Sequence, residues 1–425
     1  MIAKSWWHGI TRYQWLVLFI AWLGWVFDAM DATIYAIVLH PALHDLLQSH
    51  GETVSPEQIG WYGGIIFSIF LIGWAIGGIV FGVMADYFGR TKTLIITILI
   101  YAIFTGLAAL SQDWWHLAVY RFLTALGIGG EWAAGAALVA ETWPEEKRAK
   151  AAGILQSAWA VGFFLAAAFN LLLKGYGWRV LFVIGIFPAF VSLLVRWHVK
   201  EPDRWAKVHG QTTTTTNPIR MTDIFRPPLR RSTLIGSALA FVAVFGLWGA
   251  TNWAPTLIRE LPDLKSSDAA TLSASVSYAI MALNGGAVFG YLAFGPLADR
   301  FGRRAVFAFM CLGSLVMLPV TYLLPTTYVG VLMLLPLLGF FNNGIFSGFP
   351  LYLPELYPTR LRATGAGFCF NAGRALASTS PFLTGWLVME LGTFGRAAST
   401  VAAIYVVGLV VLIFAPETKG KPLPE

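Results

Sequence analysis

The nine-residue pattern G-x-x-A-D-x-x-G-R occurs twice in this chain, from Gly82 to Arg90 and from Gly295 to Arg303, 213 residues apart. The same offset carries Gly73 onto Gly286 and Gly77 onto Gly290, in the apolar run before each motif. An offset of 214 carries Glu141, Pro144, Arg148 and Gly153 onto Glu355, Pro358, Arg362 and Gly367. One period spanning half the chain restricts the fold to two like halves.

Composition says what the halves are made of. Hydrophobic residues make up 57% of the chain and charged residues 12%, where a soluble domain carries about 25% charged. Long apolar runs alternate with short polar breaks, and a helix satisfies its own backbone in lipid. Twelve such helices are predicted, at roughly 13–39, 59–84, 92–111, 114–141, 149–173, 178–197, 232–258, 272–297, 304–324, 327–352, 362–389 and 394–415. The expected fold is an all-α membrane protein with twelve transmembrane helices in two pseudo-symmetric six-helix bundles. Residues 1–197 form one bundle and 232–425 the other, with a short polar tail. A basic linker, 198–231, joins them and contains the run Thr212–Thr216. The first apolar run is too long for a signal peptide. Cys311 and Cys369 fall inside predicted helices and read as small apolar residues.

Basic residues set the expected orientation. An even number of helices puts both termini on one side, and that side collects 22 of the 29 Lys and Arg against five on the other. The termini are therefore expected in the cytoplasm of a cell whose inner (plasma) membrane holds the chain. The net charge of +7 follows from this bias, and no nucleic-acid partner is expected.

Five ionisable residues fall at hydrocarbon depth: Asp28, Asp31, Arg121, Glu131 and Arg374. Each costs roughly 2.5–3.5 kcal/mol if unpaired, so they must face partners or a water-filled cavity. A guanidinium offers a planar fork that matches a carboxylate. Arg374 is the first candidate to hold an anionic substrate, with Arg121 second. The competing reading of Arg374 is a fixed pairing with Asp28 or Asp31. These two aspartates are three apart on one helix face, and desolvation with like-charge repulsion favours a bound proton on at least one. Asp28, Asp31 and Glu131 are the proton-carrier candidates, against the alternative of fixed salt bridges. Asn252, Asn284, Asn342, Asn343, Asn371 and Gln156 offer hydrogen bonds either to a substrate or between helices. Trp22, Trp25, Tyr35, Trp159, Trp248 and Tyr352 are candidates for aromatic walls, or for ordinary packing.

The sequence has no G-x-x-x-x-G-K phosphate loop, no Cys/His cluster spaced for a metal, and no Ser with His and acid partners in register. No enzyme activity, metal or cofactor is expected, and the energy for any transport would come from a gradient.

Two six-helix halves with the doubled motif after the second and eighth helices resemble the major facilitator superfamily over essentially the whole chain. Within it, Arg121 to Trp132 resembles the fourth helix of proton-coupled organic-acid symporters. Asp28-Ala29-Met30-Asp31 resembles the D-G-F-D of aromatic-acid and sialic-acid symporters, with Ala29 in place of Gly. Lys200-Glu201-Pro202-Asp203-Arg204-Trp205 and Pro416-Glu417-Thr418-Lys419-Gly420 resemble signatures of the sugar porters. The resemblance implies rocking of the halves in alternating access and a functional monomer in the lipid bilayer. It also implies a cavity lined by helices 1, 4, 7 and 10 and bordered by helix 11. It implies a cytoplasmic latch as well: Asp86 against the helix start at 361–364, Arg90 against Glu141, Asp299 against the helix start near Ala149, and Arg303 against Glu355. The expected function is proton-coupled import of a small organic anion such as sialate, lactate or another monocarboxylate. A sugar transporter and an aromatic-acid symporter are the alternatives.

Overall fold

The computed structural model describes residues 8–48, 56–172, 176–203, 205–207, 220–250, 254, 257–258 and 261–424. Asn252 and Thr212–Thr216 lie outside them. In the first half α1 (Arg12–Gln48), α2 (Pro56–Phe88), α3 (Arg90–Ala108), α4 (Trp114–Thr142) and α5 (Arg148–Leu172) are continuous. The sixth run is divided into α6 (Trp178–Ile184) and α7 (Pro188–His198). The second half opens with α8 (Leu229–Gly249), α9 (Ala269–Phe301) and α10 (Arg303–Leu323). Its tenth run is α11 (Tyr328–Asn342) and α12 (Phe349–Glu355), joined by the 3₁₀ turn Gly344–Gly348. The eleventh is α13 (Arg362–Ala377) and α14 (Ser380–Leu391), and the twelfth is α15 (Phe394–Val401) and α16 (Ile404–Phe414). No strand occurs among the described residues.

Among the described residues, ten stretches are long and apolar enough to cross a membrane. The sixth and eleventh runs complete the twelve. Each is interrupted just before a proline, Pro188 and Pro381, which has no N–H for the helical ladder. The first helix departs from its predicted end at 39. It continues through Pro41 to Gln48 because Leu43, Leu46 and Leu47 keep a buried face beyond the proline. Packing here overrides the local signal of Pro41.

The repeat seen in sequence is a repeat of helix crossings. A Cβ on Gly77 of α2 would lie 2.1 Å from the Leu126 carbonyl oxygen of α4. A Cβ on Gly290 of α9 would lie 2.2 Å from the Phe340 oxygen of α11. Both crossings bring backbones together as small residues allow in membrane bundles. Gly77→Val is expected to force α2 from α4 and cost about 1–3 kcal/mol. A lowered melting temperature of the detergent-solubilised protein would show this, and an unchanged one would contradict it.

The motif loops are also built alike. Gly89 and Gly302 turn the chain at φ of 111° and 95°, a region that favours glycine. Arg90 donates to the Ala85 oxygen at 2.9 Å and to both oxygens of Glu141 at 3.0 and 3.2 Å. Arg303 donates to the Ala298 oxygen at 3.2 Å and to both oxygens of Glu355 at 3.0 and 3.2 Å. A carboxylate then caps the following helix. Glu201 accepts from the N–H groups of Arg90 and Thr91 at 2.8 and 3.0 Å. Glu417 accepts from those of Arg303 and Arg304 at 3.0 and 3.1 Å. Burial pushes the Glu417 carboxyl up, but the N–H groups of Arg303, Lys419, Arg304 and Thr418 outweigh it and hold the pKa below the usual glutamate value. A depressed carboxyl contributes stability above its unfolded pKa, so this cap weakens as pH falls through the acid range.

Candidate functional site

A cavity of about 200 Å³ lies between the halves. From the first half α1 contributes Trp25, α2 Trp74, and α5 Gln156, Trp159 and Phe163. From the second half come Trp248 of α8, Asn284 and Tyr291 of α9, Asn343 and Phe346 at the break after α11, and Phe370 and Arg374 of α13. The break places its residues there. The 3₁₀ turn after Asn343 unwinds the tenth run beside the cavity, where irregular backbone is tolerated in a membrane protein.

Arg374 is the cation of this cavity. Its guanidinium lies 4.0 Å from the Trp74 ring centroid, across the boundary between the halves, and 4.8 Å from that of Phe370. It donates to Asn371 Oδ1 at 2.8 Å, and Asn371 in turn donates to the Gly367 oxygen at 2.9 Å. Stacking and one hydrogen bond hold the fork in place while it borders the cavity.

Behind Arg374 the two aspartates of α1 take different partners. Arg121 donates to both oxygens of Asp31 at 2.8 and 3.1 Å, and Thr105 adds a third hydrogen bond at 2.8 Å. Arg121 also sits 4.6 Å from the Tyr35 ring centroid and 4.5 Å from that of Phe70. Asp28 instead faces Glu131 of α4, with Arg374 as its nearby cation. A Cβ on Gly24, one turn before Asp28, would lie 1.7 Å from Glu131 Oε1, so the glycine makes the room that Glu131 occupies. All four carboxyl oxygens of Asp28 and Glu131 are buried, and among the described residues no N–H or hydroxyl donor from elsewhere reaches them, so the two carboxyls have each other.

Hydrogen bonds between the halves gather on the side that carries the termini. Asp86 of α2 accepts from the N–H groups of Ala363 and Thr364 at 3.2 and 2.6 Å, at the first turn of α13. A carboxylate there meets unsatisfied donors and the positive end of the helix dipole. Arg362 donates to Glu141 at 2.6 Å, and Arg148 reaches Glu355 at 3.6 Å. The second repeat of the sequence is thus an exchange, in which each half's arginine pairs with the other half's glutamate. Asp299 is less enclosed than Asp86. It meets Arg303 at 3.5 Å, with Lys150 of the first turn of α5 as a further positive charge beside it, and it remains partly exposed.

The profile of the Major Facilitator Superfamily matches residues 17–378. The chain belongs to this superfamily. The sialic acid transporter NanX of Escherichia coli is 30% identical over 429 residues, covering 99% of this chain and 98% of that protein. The cis,cis-muconate transport protein of Acinetobacter baylyi is 29% identical over 422 residues, covering 97% of each. Among solved structures, the proton:xylose symporter XylE superposes with a TM-score of 0.77 at 18% identity, covering 97% of this chain and 98% of that one. At that identity the likeness concerns the fold alone. The superfamily consists of membrane transporters, not enzymes.

Several sequence candidates of this facilitator chain come together at the cavity, and others do not. Arg374, Asn284, Asn343, Gln156, Trp25, Trp159 and Trp248 line it. Asn371 supports Arg374 from within α13. Asn342 accepts instead from the Tyr405 hydroxyl at 2.5 Å, deep in the second half. Trp22 donates to Ser157 at 3.2 Å, and Tyr352 donates to the Pro416 oxygen at 2.8 Å near the tail. Helix 4, expected to line the cavity, contributes none of its lining residues; it stacks Trp132 on Phe370 at 4.4 Å and presents Glu131 to Asp28. Trp74, Phe163, Tyr291, Phe346 and Phe370 were not singled out from sequence. Trp74 and Phe370 each had a signal in their spacing: one follows Gly73 in the glycine-rich α2, and the other lies four residues before Arg374.

Proposed function

We propose that this chain is a proton-coupled symporter that imports a small organic anion by alternating access. The observation that carries the reading is Arg374, a buried guanidinium held by Asn371 and Trp74 at the wall of a cavity between the halves. A neutral sugar has no need of such a cation, whereas a carboxylate fits its fork. Relatives named as carriers of sialic acid and of cis,cis-muconate support the same class.

Counting charges supports the proton. Asp28, Asp31 and Glu131 make three carboxyls at this depth against the two guanidiniums of Arg121 and Arg374. Asp31 is taken by Arg121. One proton on the apposed Asp28 and Glu131 balances the remainder, since two adjacent carboxylates cannot both ionise cheaply out of water. The arriving anion takes Arg374 from Asp28, so Asp28 binds a further proton that restores neutrality. That proton leaves by way of Glu131 when the anion departs on the other side.

The terminal side is cytoplasmic in this reading, from the bias of basic residues. The bonds of Asp86 to α13 and the Glu141–Arg362 and Arg148–Glu355 pairs then form a latch that shuts the cytoplasmic mouth and must part for release. Asp86→Asn keeps the shape but loses the charge at the helix start, a change worth up to about 2 kcal/mol. It is expected to raise labelling of a cysteine introduced at the cytoplasmic mouth severalfold, and unchanged labelling would remove Asp86 from the latch.

The walls favour a second reading within the same class, an aromatic-acid symporter. Trp25, Trp74, Trp159, Trp248 and Phe370 surround the space beside Arg374, and flat ring faces suit a planar substrate. Uptake into proteoliposomes under an inward proton gradient tests both, with sialate, lactate, a hydroxybenzoate and glucose as the panel. Concentrative uptake of one acid and none of glucose is expected. Uptake of glucose alone would move the chain to the sugar branch.

A further inference from the structure

Outside the substrate cavity, an open groove of about 600 Å³ runs between the first turns of α8 and the last turns of α16. Leu234, Ala238, Val411 and Phe414 form its apolar walls, and Leu234 and Phe414 are 58% and 56% exposed. Arg230 and Arg231 stand at its mouth on the terminal side. Arg231 donates to the Phe414 oxygen at 2.9 Å, which holds its guanidinium at the end of α16. The Arg230 side chain is exposed and has no partner among the described residues. The nearby acid, Asp223, is engaged by Arg226 at 3.4 Å. Two cations therefore face the polar end of an apolar groove, with no carboxylate paired to either among the described residues.

We propose that this groove binds an anionic phospholipid, with its phosphate against Arg230 and Arg231 and one acyl chain along Leu234, Ala238 and Val411. The physical reasons are separate. The apolar walls lie on the outer surface of a membrane-spanning helix pair, so hydrocarbon covers them. Each arginine near the membrane surface favours an anionic headgroup by roughly fivefold, and the positive end of the α8 dipole adds to both. A zwitterionic headgroup brings its own cation to the same place and loses most of this gain. Lipid binding in this groove is independent of what the central cavity carries.

Native mass spectrometry of the full chain tests it, with phosphatidylglycerol and phosphatidylcholine of identical acyl chains as the probes. The wild type is expected to retain phosphatidylglycerol in preference by roughly 25-fold, about fivefold for each arginine. Arg230→Gln alone, which breaks no bond within the protein, should reduce that preference about fivefold. Ala238→Phe, which fills the groove without touching a charge, should lower retention of both lipids. Equal retention of the two lipids by the wild type would overturn the proposal, as would a preference that survives Arg230→Gln or retention unaffected by Ala238→Phe.

Discussion

Arg374→Ala is expected to abolish practical uptake of the acid while leaving a folded transporter. Removing one partner of a buried, hydrogen-bonded charge pair costs about 2–5 kcal/mol, which is roughly 30-fold to several thousandfold in affinity. The fold should survive because the guanidinium borders the cavity and gives up one side-chain hydrogen bond, to Asn371, and its stacking on Trp74 and Phe370. Arg374→Lys separates charge from shape. It keeps a cation beside Asp28 but loses the planar fork and much of the stacking on Trp74. Uptake by the lysine variant is expected between the wild type and the alanine variant, through a raised KM. Equilibrium binding of the acid to purified protein checks both variants. Affinity within threefold of wild type in Arg374→Ala would remove Arg374 from the substrate site.

Glu131→Gln is expected to separate transport from the proton gradient. Glutamine has the shape of the protonated acid, fits beside Gly24 and Asp28, and cannot release a proton. Glu131 lies behind α1 and does not border the cavity, so substrate still reaches Arg374. Exchange of labelled for unlabelled acid across the membrane should continue, while accumulation driven by a proton gradient falls at least tenfold. Asp28→Asn should weaken accumulation as well, but through a different route. Asp28 is the carboxyl that stands near Arg374, so its loss also changes substrate affinity. Full gradient-driven accumulation by Glu131→Gln would assign the proton elsewhere, with Asp28 and Asp31 the remaining candidates.

Much of the architecture was legible because it is periodic. Gly77 and Gly290 are equivalent in sequence and mark equivalent crossings in space. Arg90 and Arg303 reach Glu141 and Glu355 by the same geometry, and both pairs stood in register along the chain. The exchange between Arg148 and Arg362 was visible as a repeat, but its partners were not. Sequence registers equivalence between halves, whereas an interface between them is set by how the halves dock.

The site was legible by depth and less so by neighbour. Charges in an apolar run announce themselves, and Asp28, Asp31, Arg121, Glu131 and Arg374 all lie buried together with their partners. Their pairing depended on features with no local signature. Asp28 and Asp31 share a helix, yet Asp31 turns to Arg121 and Thr105 on other helices, while Gly24 opens a place for Glu131 beside Asp28. Trp74 follows Gly73 in the glycine-rich α2, but nothing in the sequence pairs it with Arg374. It became a platform for Arg374 only through the approach of α13 from the other half. Asn342 and Asn343 are adjacent, and unwinding after α11 sends one into the cavity while the other packs against Tyr405.

In the proposed cycle an organic anion and a proton enter together. The most direct test is the pH outside lightly buffered proteoliposomes when the acid is added, with the membrane potential clamped by potassium and valinomycin. The account predicts external alkalinisation that needs the acid, saturates with it, and disappears in Arg374→Ala. Uptake of labelled acid into the same vesicles without any proton movement would contradict it and leave a carrier that moves the anion alone.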